Sequence, residues 1–178
     1  MGFFDYKEAK ELYRDNKRML KIINCLEDLD QYHLLRNMEG QGDYYKRIPA
    51  PVEEYKTWLT ACDGGLLFST TLLSVEGNDL EMDLSFSTLQ EWNTMQKHKT
   101  FRLPRGYFII ALLNYGDPIC LSSSDSRVYH WDTEEKTFVT VWDSFADFLA
   151  DECNTAVQMI EDDALDPIPI KMGVQDGQ

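Results

Sequence analysis

The chain has 178 residues, of which 43% are hydrophobic and 27% charged, which excludes a disordered protein and predicts one domain with a packed core. Its formal net charge is −14. Residues 1–47 hold nine acidic and nine basic side chains, so the whole excess lies after Arg47. A surface of this charge repels phosphate, which argues against nucleic acids and anionic membranes as partners. It either steers a basic protein partner or serves solubility alone.

The sequence contains no signal for export or membrane attachment. No apolar run is long enough to span a bilayer, and the first residues lack the basic and apolar regions of a signal peptide. Tyr6 stands where a myristoylation pattern needs Ser or Thr. The four cysteines (Cys25, Cys62, Cys120 and Cys153) form no C-x-x-C pair, which predicts reduced thiols. We therefore expect a cytoplasmic protein.

Residues 1–47 are predicted to form an N-terminal helical segment. Apolar residues recur at steps of three, four or seven, which places them on one helical face. They are Ala9, Leu12, Met19, Ile23 and Leu26. We expect a break at Asp28–Gln31 and a short second helix over Tyr32–Met38.

Residues 48–160 are predicted to form the main α+β domain. After Pro51, an apolar stripe over Val52–Leu59 indicates a helix, and Asp63-Gly64-Gly65 is expected to end it. Leu66–Val75 is typical of a strand, and Ser87–Met95 predicts a short helix.

The second half of this region predicts four strands joined by short turns, which indicates antiparallel pairing. The strands are expected at Tyr107–Leu113, Pro118–Leu121, Arg127–Asp132 and Thr137–Val141. Asp143 or Ser144 should cap a closing helix with Phe145, Phe148, Leu149, Ala156 and Ile160 inward. The fold class is thus α+β: a mostly antiparallel central sheet with flanking helices. Residues 161–178 are predicted to be a loosely held acidic tail.

Three stretches together resemble one known family. The first runs from Ile48-Pro49 through the helix into Asp63-Gly64-Gly65-Leu66-Leu67-Phe68. The second is the turn Asn114-Tyr115-Gly116-Asp117-Pro118. The third is Val128–Asp132 followed by Ser144–Leu149. In this order and spacing they are similar to the SUKH superfamily over about residues 48–150, although many members have Asn at the position of Asp63.

The resemblance implies an α+β domain that binds other proteins and is not an enzyme. Bacterial members commonly act as immunity proteins against toxins, often nucleases, whereas the fungal relative regulates cell-wall synthesis. We therefore expect either an immunity protein for a cognate toxin or a regulatory scaffold. The resemblance covers neither residues 1–47 nor the tail.

The residues themselves predict no catalytic site, no metal site and no cofactor. His33, His98 and His130 lack metal-ligand spacing. Ser122–Ser126 has no nucleophile motif and is typical of a polar turn, and Gly64-Gly65 lacks the Lys of a phosphate loop. Carboxylates at hairpin tips are solvated, which does not suit a general acid.

We instead predict that exposed carboxylates contact a protein partner. The candidates are Asp63, Asp83, Asp125, Asp132, Glu134 and Glu135. An exposed Trp or Tyr ringed by carboxylates would be the best anchor for such a contact. All four tryptophans (Trp58, Trp92, Trp131 and Trp142) fall on predicted core-facing positions, and we expect at least two to be buried. The sequence does not indicate an oligomeric state.

Overall fold

The computed structural model describes residues 3–38, 52–75, 88–97 and 102–171. The helices are α1 (Tyr6–Leu12), α2 (Lys17–Asp28), a short 3-10 helix (Asp30–Tyr32), α3 (Glu53–Leu59), α4 (Leu89–Lys97) and α5 (Phe145–Glu161). The strands are β1 (Leu34–Asn37), β2 (Cys62–Leu67), β3 (Thr70–Leu72), β4 (Tyr107–Leu112), β5 (Pro118–Ser122), β6 (Val128–Asp132) and β7 (Thr137–Trp142).

The seven strands form one sheet in chain order, and every neighbouring pair is antiparallel. The α+β class is confirmed, and β4 to β7 agree with the predicted strands to within about a residue. Short turns between consecutive strands explain the meander, since such turns allow only antiparallel neighbours. At the β7 edge, Trp131 pairs with Phe138 and His130 with Thr140, so Val139 is an extra, unpaired residue.

The core lies where the central strands meet the helices. All of β5 is buried, and α5 buries Phe145, Phe148 and Leu149 as predicted. The Phe145 ring packs edge-on to Tyr55 of α3, with the ring centroids 5.1 Å apart. Burial of side chains of this size contributes about 2 kcal/mol each. Ser144 caps α5, because its Oγ accepts a hydrogen bond from the Asp147 N–H at 3.1 Å.

The predicted course of the N-terminal segment is wrong in two places. The first helix is interrupted at Asn16, whose side chain accepts from the Met19 N–H and caps α2. Tyr32–Met38 is not a helix, because Leu34–Asn37 forms β1 and pairs with β2. Leu34 and Leu35 are adjacent yet both fully buried. The N-terminal segment therefore contributes an edge strand to the sheet.

The double glycine lies within β2 rather than at a helix end, so its predicted role is wrong. Both glycines have positive φ, +72° at Gly64 and +122° at Gly65. A Cβ on Gly65 would lie 2.2 Å from the carbonyl oxygen of Leu34, and one on Gly64 would lie 2.7 Å from that of Leu72. Glycine is needed here because the flanking strands approach β2 closely.

The predicted strand Leu66–Val75 is instead a hairpin. The chain turns at Phe68, which has a φ of +58°, and residues Thr70–Leu72 return as β3. Leu67 pairs with Thr70 across this turn. The turn therefore lets β3 lie as an additional strand between β2 and the central β4.

The tail is held in place as far as Lys171, which contradicts the predicted loose segment. The Ile168 N–H donates to the Gln31 carbonyl at 2.8 Å. Lys171 is only 4% exposed, and its Nζ lies 3.0 Å from Asp30 Oδ1 and 4.7 Å from the centre of the Phe3 ring. Residues 172–178 of the predicted tail lie outside the described ranges.

We predict that Gly65→Ala lowers the free energy of unfolding by about 3 kcal/mol or more, because the methyl group would overlap the β1 backbone. The matched control is Gly116→Ala. Gly116 also has a positive φ, +98°, but a methyl group added there would have no atom of the described residues within 4 Å, so we expect a loss of about 1 kcal/mol. Urea unfolding measures both values, and equal losses would refute the close-approach explanation.

A second prediction concerns Glu152 of α5, which accepts a hydrogen bond from Thr70 Oγ1 at 3.0 Å. Burial raises the pKa of Glu152 from 4.5 to about 7. The folded state therefore loses stability as the pH rises from about 4.5 through 7, where the buried carboxyl must ionise. Glu152→Gln should raise the free energy of unfolding at pH 8 by up to about 3 kcal/mol, with no gain at pH 4. Urea titrations at the two pH values check this, and a gain independent of pH would contradict it.

Candidate functional site

Because β4 to β7 form a meander, the loops that join them lie alternately at the two ends of the sheet. Loops 113–117 and 133–136 follow β4 and β6, which run in the same direction, so both loops lie at one end. The turn 123–127 lies at the opposite end. We call the first end the acidic end and define it by Tyr115, Asp117, Asp132, Glu134 and Glu135.

Asp117 joins the two loops of the acidic end. Its Oδ1 accepts a hydrogen bond from the Thr133 N–H at 3.1 Å, and its Oδ2 lies 3.0 Å from His130 Nε2. Burial acts to raise the pKa of Asp117, but the hydrogen bonds from His130 and Thr133 outweigh it and lower the pKa below its usual value. This carboxylate is therefore ionised at neutral pH and positions the neighbouring loop.

Asp132 shapes the turn that presents the two glutamates. Its Oδ1 accepts from the N–H groups of Glu134 and Glu135, each at 2.9 Å. This is the local bonding that makes Asp favourable in turns. Asp132 is half-buried, whereas both glutamate side chains are exposed. The glutamates are thus the carboxylates that a partner can reach most directly.

Tyr115 is the aromatic side chain of the acidic end. It is 67% exposed, and its ring centre lies 6.2 Å from that of His130. Partial burial raises the pKa of Tyr115, and the charges of Asp117 and Asp132 add to the effect. A large aromatic ring next to carboxylates is the arrangement expected of a binding anchor.

Comparison with known proteins shows the family to which the chain belongs. Residues 53–151 match the model of the SMI1 / KNR4 family (SUKH-1). The chain belongs to this SUKH family. The matched region runs from α3 into α5 and includes the whole acidic end, whereas α1, α2 and β1 lie outside it. A search of curated proteins found no match to the chain.

Asp125 does not belong to the acidic end of this SUKH domain. It lies in the turn between β5 and β6, and five-residue strands at about 3.3 Å per residue separate the two ends by about 16 Å. Its side chain is exposed and accepts hydrogen bonds from the Arg127 N–H at 3.0 Å and from the Tyr129 hydroxyl. Arg105 and Arg127 are exposed near the same end, so the charge there is mixed.

Asp63 is a structural residue of the SUKH domain rather than part of an exposed surface. It is 2% exposed, and its Oδ1 accepts a hydrogen bond from the Val75 N–H at 2.7 Å. That bond fixes the chain after β3 to β2. Asp63 therefore cannot present its carboxylate to a partner, and we leave it out of the proposed surface. Asp83 lies outside the described residues.

The tryptophan prediction is confirmed at two positions in the core. Trp58 and Trp131 are buried, as expected of at least two tryptophans, whereas Trp92 and Trp142 are half-buried. The exposed aromatic side chain at the acidic end is Tyr115, a kind of residue that the sequence predicted without indicating its position. A signal was present in Asn114-Tyr115-Gly116-Asp117, because an aromatic within a tight turn cannot reach the core.

The serine run and the histidine considered for catalysis or metal binding lie in a turn and in the core. Ser123–Asp125 form the tip of the β5–β6 turn. His33 is buried, and burial lowers its pKa to about 4, so its imidazole is neutral at pH 7. Across the ranges that the structure describes, no group of three or more His, Cys, Asp or Glu side chains is placed to hold a metal ion. No helix in those ranges has the length and apolar character needed to cross a membrane.

Proposed function

We propose that this SUKH protein is a non-enzymatic binding domain that acts as an immunity protein, neutralising a cognate toxin through its acidic end. The observation that carries the proposal is the exposed ring of Tyr115 beside the carboxylates of Asp117 and Asp132. The family match supports a SUKH domain, for which both immunity and regulatory roles are expected. The charge distribution favours the first role.

The surface suits a basic partner for two physical reasons. The net charge of −14 arises wholly after Arg47, so the field of the domain attracts positively charged proteins and speeds their encounter. Tyr115 then offers a large contact area with few rotatable bonds, which suits a hot spot. Against a nuclease, the exposed Glu134 and Glu135 would take the positions of substrate phosphates and occlude the active site.

The best residues to change are those that do not hold the loops together. Asp117 and Asp132 accept backbone hydrogen bonds, so replacing them would disturb the surface itself. Tyr115, Glu134 and Glu135 are exposed, and no hydrogen bond from their side chains is needed to form either turn. Variants at these residues therefore test the contribution of the aromatic ring and that of the charges separately, without altering the fold.

We predict that Tyr115→Ala raises the Kd for the toxin by about 30-fold, equivalent to about 2 kcal/mol at a hot spot. Reversal of both charges in Glu134→Lys/Glu135→Lys should slow association and weaken its dependence on salt. A toxin domain encoded by a neighbouring gene would be the partner to test. Calorimetry gives the Kd, stopped-flow gives the association rate, and a toxin assay gives neutralisation.

Asp143→Lys is the matched control for these variants. Asp143 is exposed and follows β7 at the other end of the sheet, so we expect a change in Kd of less than about threefold. Circular dichroism confirms that each variant is folded. If Tyr115→Ala and the double reversal both leave the Kd within threefold of the unchanged protein, the acidic end is not the toxin-binding surface.

A regulatory scaffold is the second candidate, and a groove beside α1 favours it. The groove has a volume of about 660 Å³, and Leu12, which is 42% exposed, lies in its wall. Three carboxylates and one lysine lie around it, which suits a partner segment with apolar and basic residues. The lining residues are Asp5, Lys7, Glu8, Glu11, Leu12, Thr60 and Ala61.

Point variants distinguish the two functions better than truncation does. Removing residues 1–40 would delete β1 and the buried side chains of α2, and the remaining domain would lose part of its core. In the scaffold case, we predict that Leu12→Glu raises the Kd for the partner more than tenfold, while Tyr115→Ala leaves it unchanged. Val157→Glu, at an exposed apolar site on α5, is the control. Sedimentation velocity with the purified partner measures release, and retention by Leu12→Glu would contradict the scaffold function.

A further inference from the structure

Two cysteines meet where the N-terminal and C-terminal helices pack together. Cys25 lies on α2 and Cys153 on α5, and these two helices are packed against each other. Arg18 of α2 forms an ion pair with Asp147 of α5, and the two cysteines lie about two turns further along these helices. Cys25 packs against the core cluster to which Cys153 belongs, and each thiol acts on the pKa of the other. Both are free thiols. Residues far apart in the sequence are therefore brought close together across a helix interface.

The two thiols differ in their access to solvent. Cys25 is half-buried, whereas Cys153 is only 3% exposed. Cys62 and Cys120 are fully buried in β2 and β5, on other elements of the core. Of the four cysteines, Cys25 is thus the one placed to react first, and its neighbour is placed to complete the reaction.

We propose that Cys25 and Cys153 form an intramolecular disulfide that links α2 to α5 when the protein meets a mild thiol oxidant. With the diazene reagent diamide, the Cys25 thiolate adds to one nitrogen of the N=N bond, and the other nitrogen takes up a proton. The Cys153 thiolate then attacks the Cys25 sulfur, and the S–N bond breaks. The two thiols lose two protons and two electrons in all, and the diazene is reduced to the hydrazine.

The surroundings of the pair set the speed of this reaction. Burial raises the pKa of Cys25 and that of Cys153, so little thiolate is present near neutral pH. The disulfide should therefore form slowly at first and require an added oxidant, which is consistent with reduced thiols in a reducing compartment. Once formed, it joins the segment before the matched SUKH region to the helix that closes that region.

The test uses the full chain treated with diamide at pH 8, then unfolded and alkylated with N-ethylmaleimide. We expect two alkylated cysteines instead of four, and a peptide map that links Cys25 to Cys153 in a monomeric protein. The melting temperature should rise after oxidation and return after reduction with dithiothreitol, because the cross-link restricts the unfolded chain.

Cys25→Ser and Cys153→Ser complete the experiment. Each should leave three alkylated cysteines after diamide and abolish the rise in melting temperature. Four alkylated cysteines in the unchanged protein, a cross-link that maps to Cys62 or Cys120, or a link between two chains would each overturn the proposal. The mass and map of the unchanged protein decide the question even if a serine variant does not fold.

Discussion

The backbones of β1 and β3 approach β2 so closely at Gly64 and Gly65 that a methyl group there would overlap a carbonyl of a neighbouring strand. This approach is the constraint on which the remaining structure depends. It lets β1 pair with β2, and β1 follows α2 after a single 3-10 turn, so the pairing also fixes where α2 lies. α2 in turn packs on α5. The N-terminal segment and the region shared with the SUKH family therefore have one hydrophobic core.

The acidic end follows from the same topology. A pure meander sends alternate turns to opposite ends, so the turn that carries Asp117 and the turn that carries Glu134 and Glu135 meet without any long connection. Asp117 joins the two turns, because its carboxylate accepts hydrogen bonds from both His130 and Thr133. Rigid loops lose little entropy on binding, which makes a small contact surface more effective.

The sequence predicted those parts of the fold whose signals are local. Strands β4 to β7 alternate or run apolar between turn residues, and Ser144 has the side chain and position of a helix cap, so each could be assigned from a short window. β1 could not, because Leu34 and Leu35 fit a helix as well as a strand until β2 is beside them. The same limit applies to the site. Asp132, Glu134 and Glu135 sit in a recognisable turn, whereas the burial of Asp63 depends on Val75, a partner twelve positions away.

The extra residue in β7 has a consequence for how the protein behaves at high concentration. Thr137–Trp142 is an edge strand without a charged residue, and its Val139 and Val141 side chains are exposed, which is the composition that promotes strand-to-strand polymerisation. The bulge at Val139 interrupts the regular row of hydrogen-bonding groups that an incoming strand would need. A single inserted residue thereby protects the open edge of the sheet from amyloid-like stacking, in a place where no lysine or proline does so.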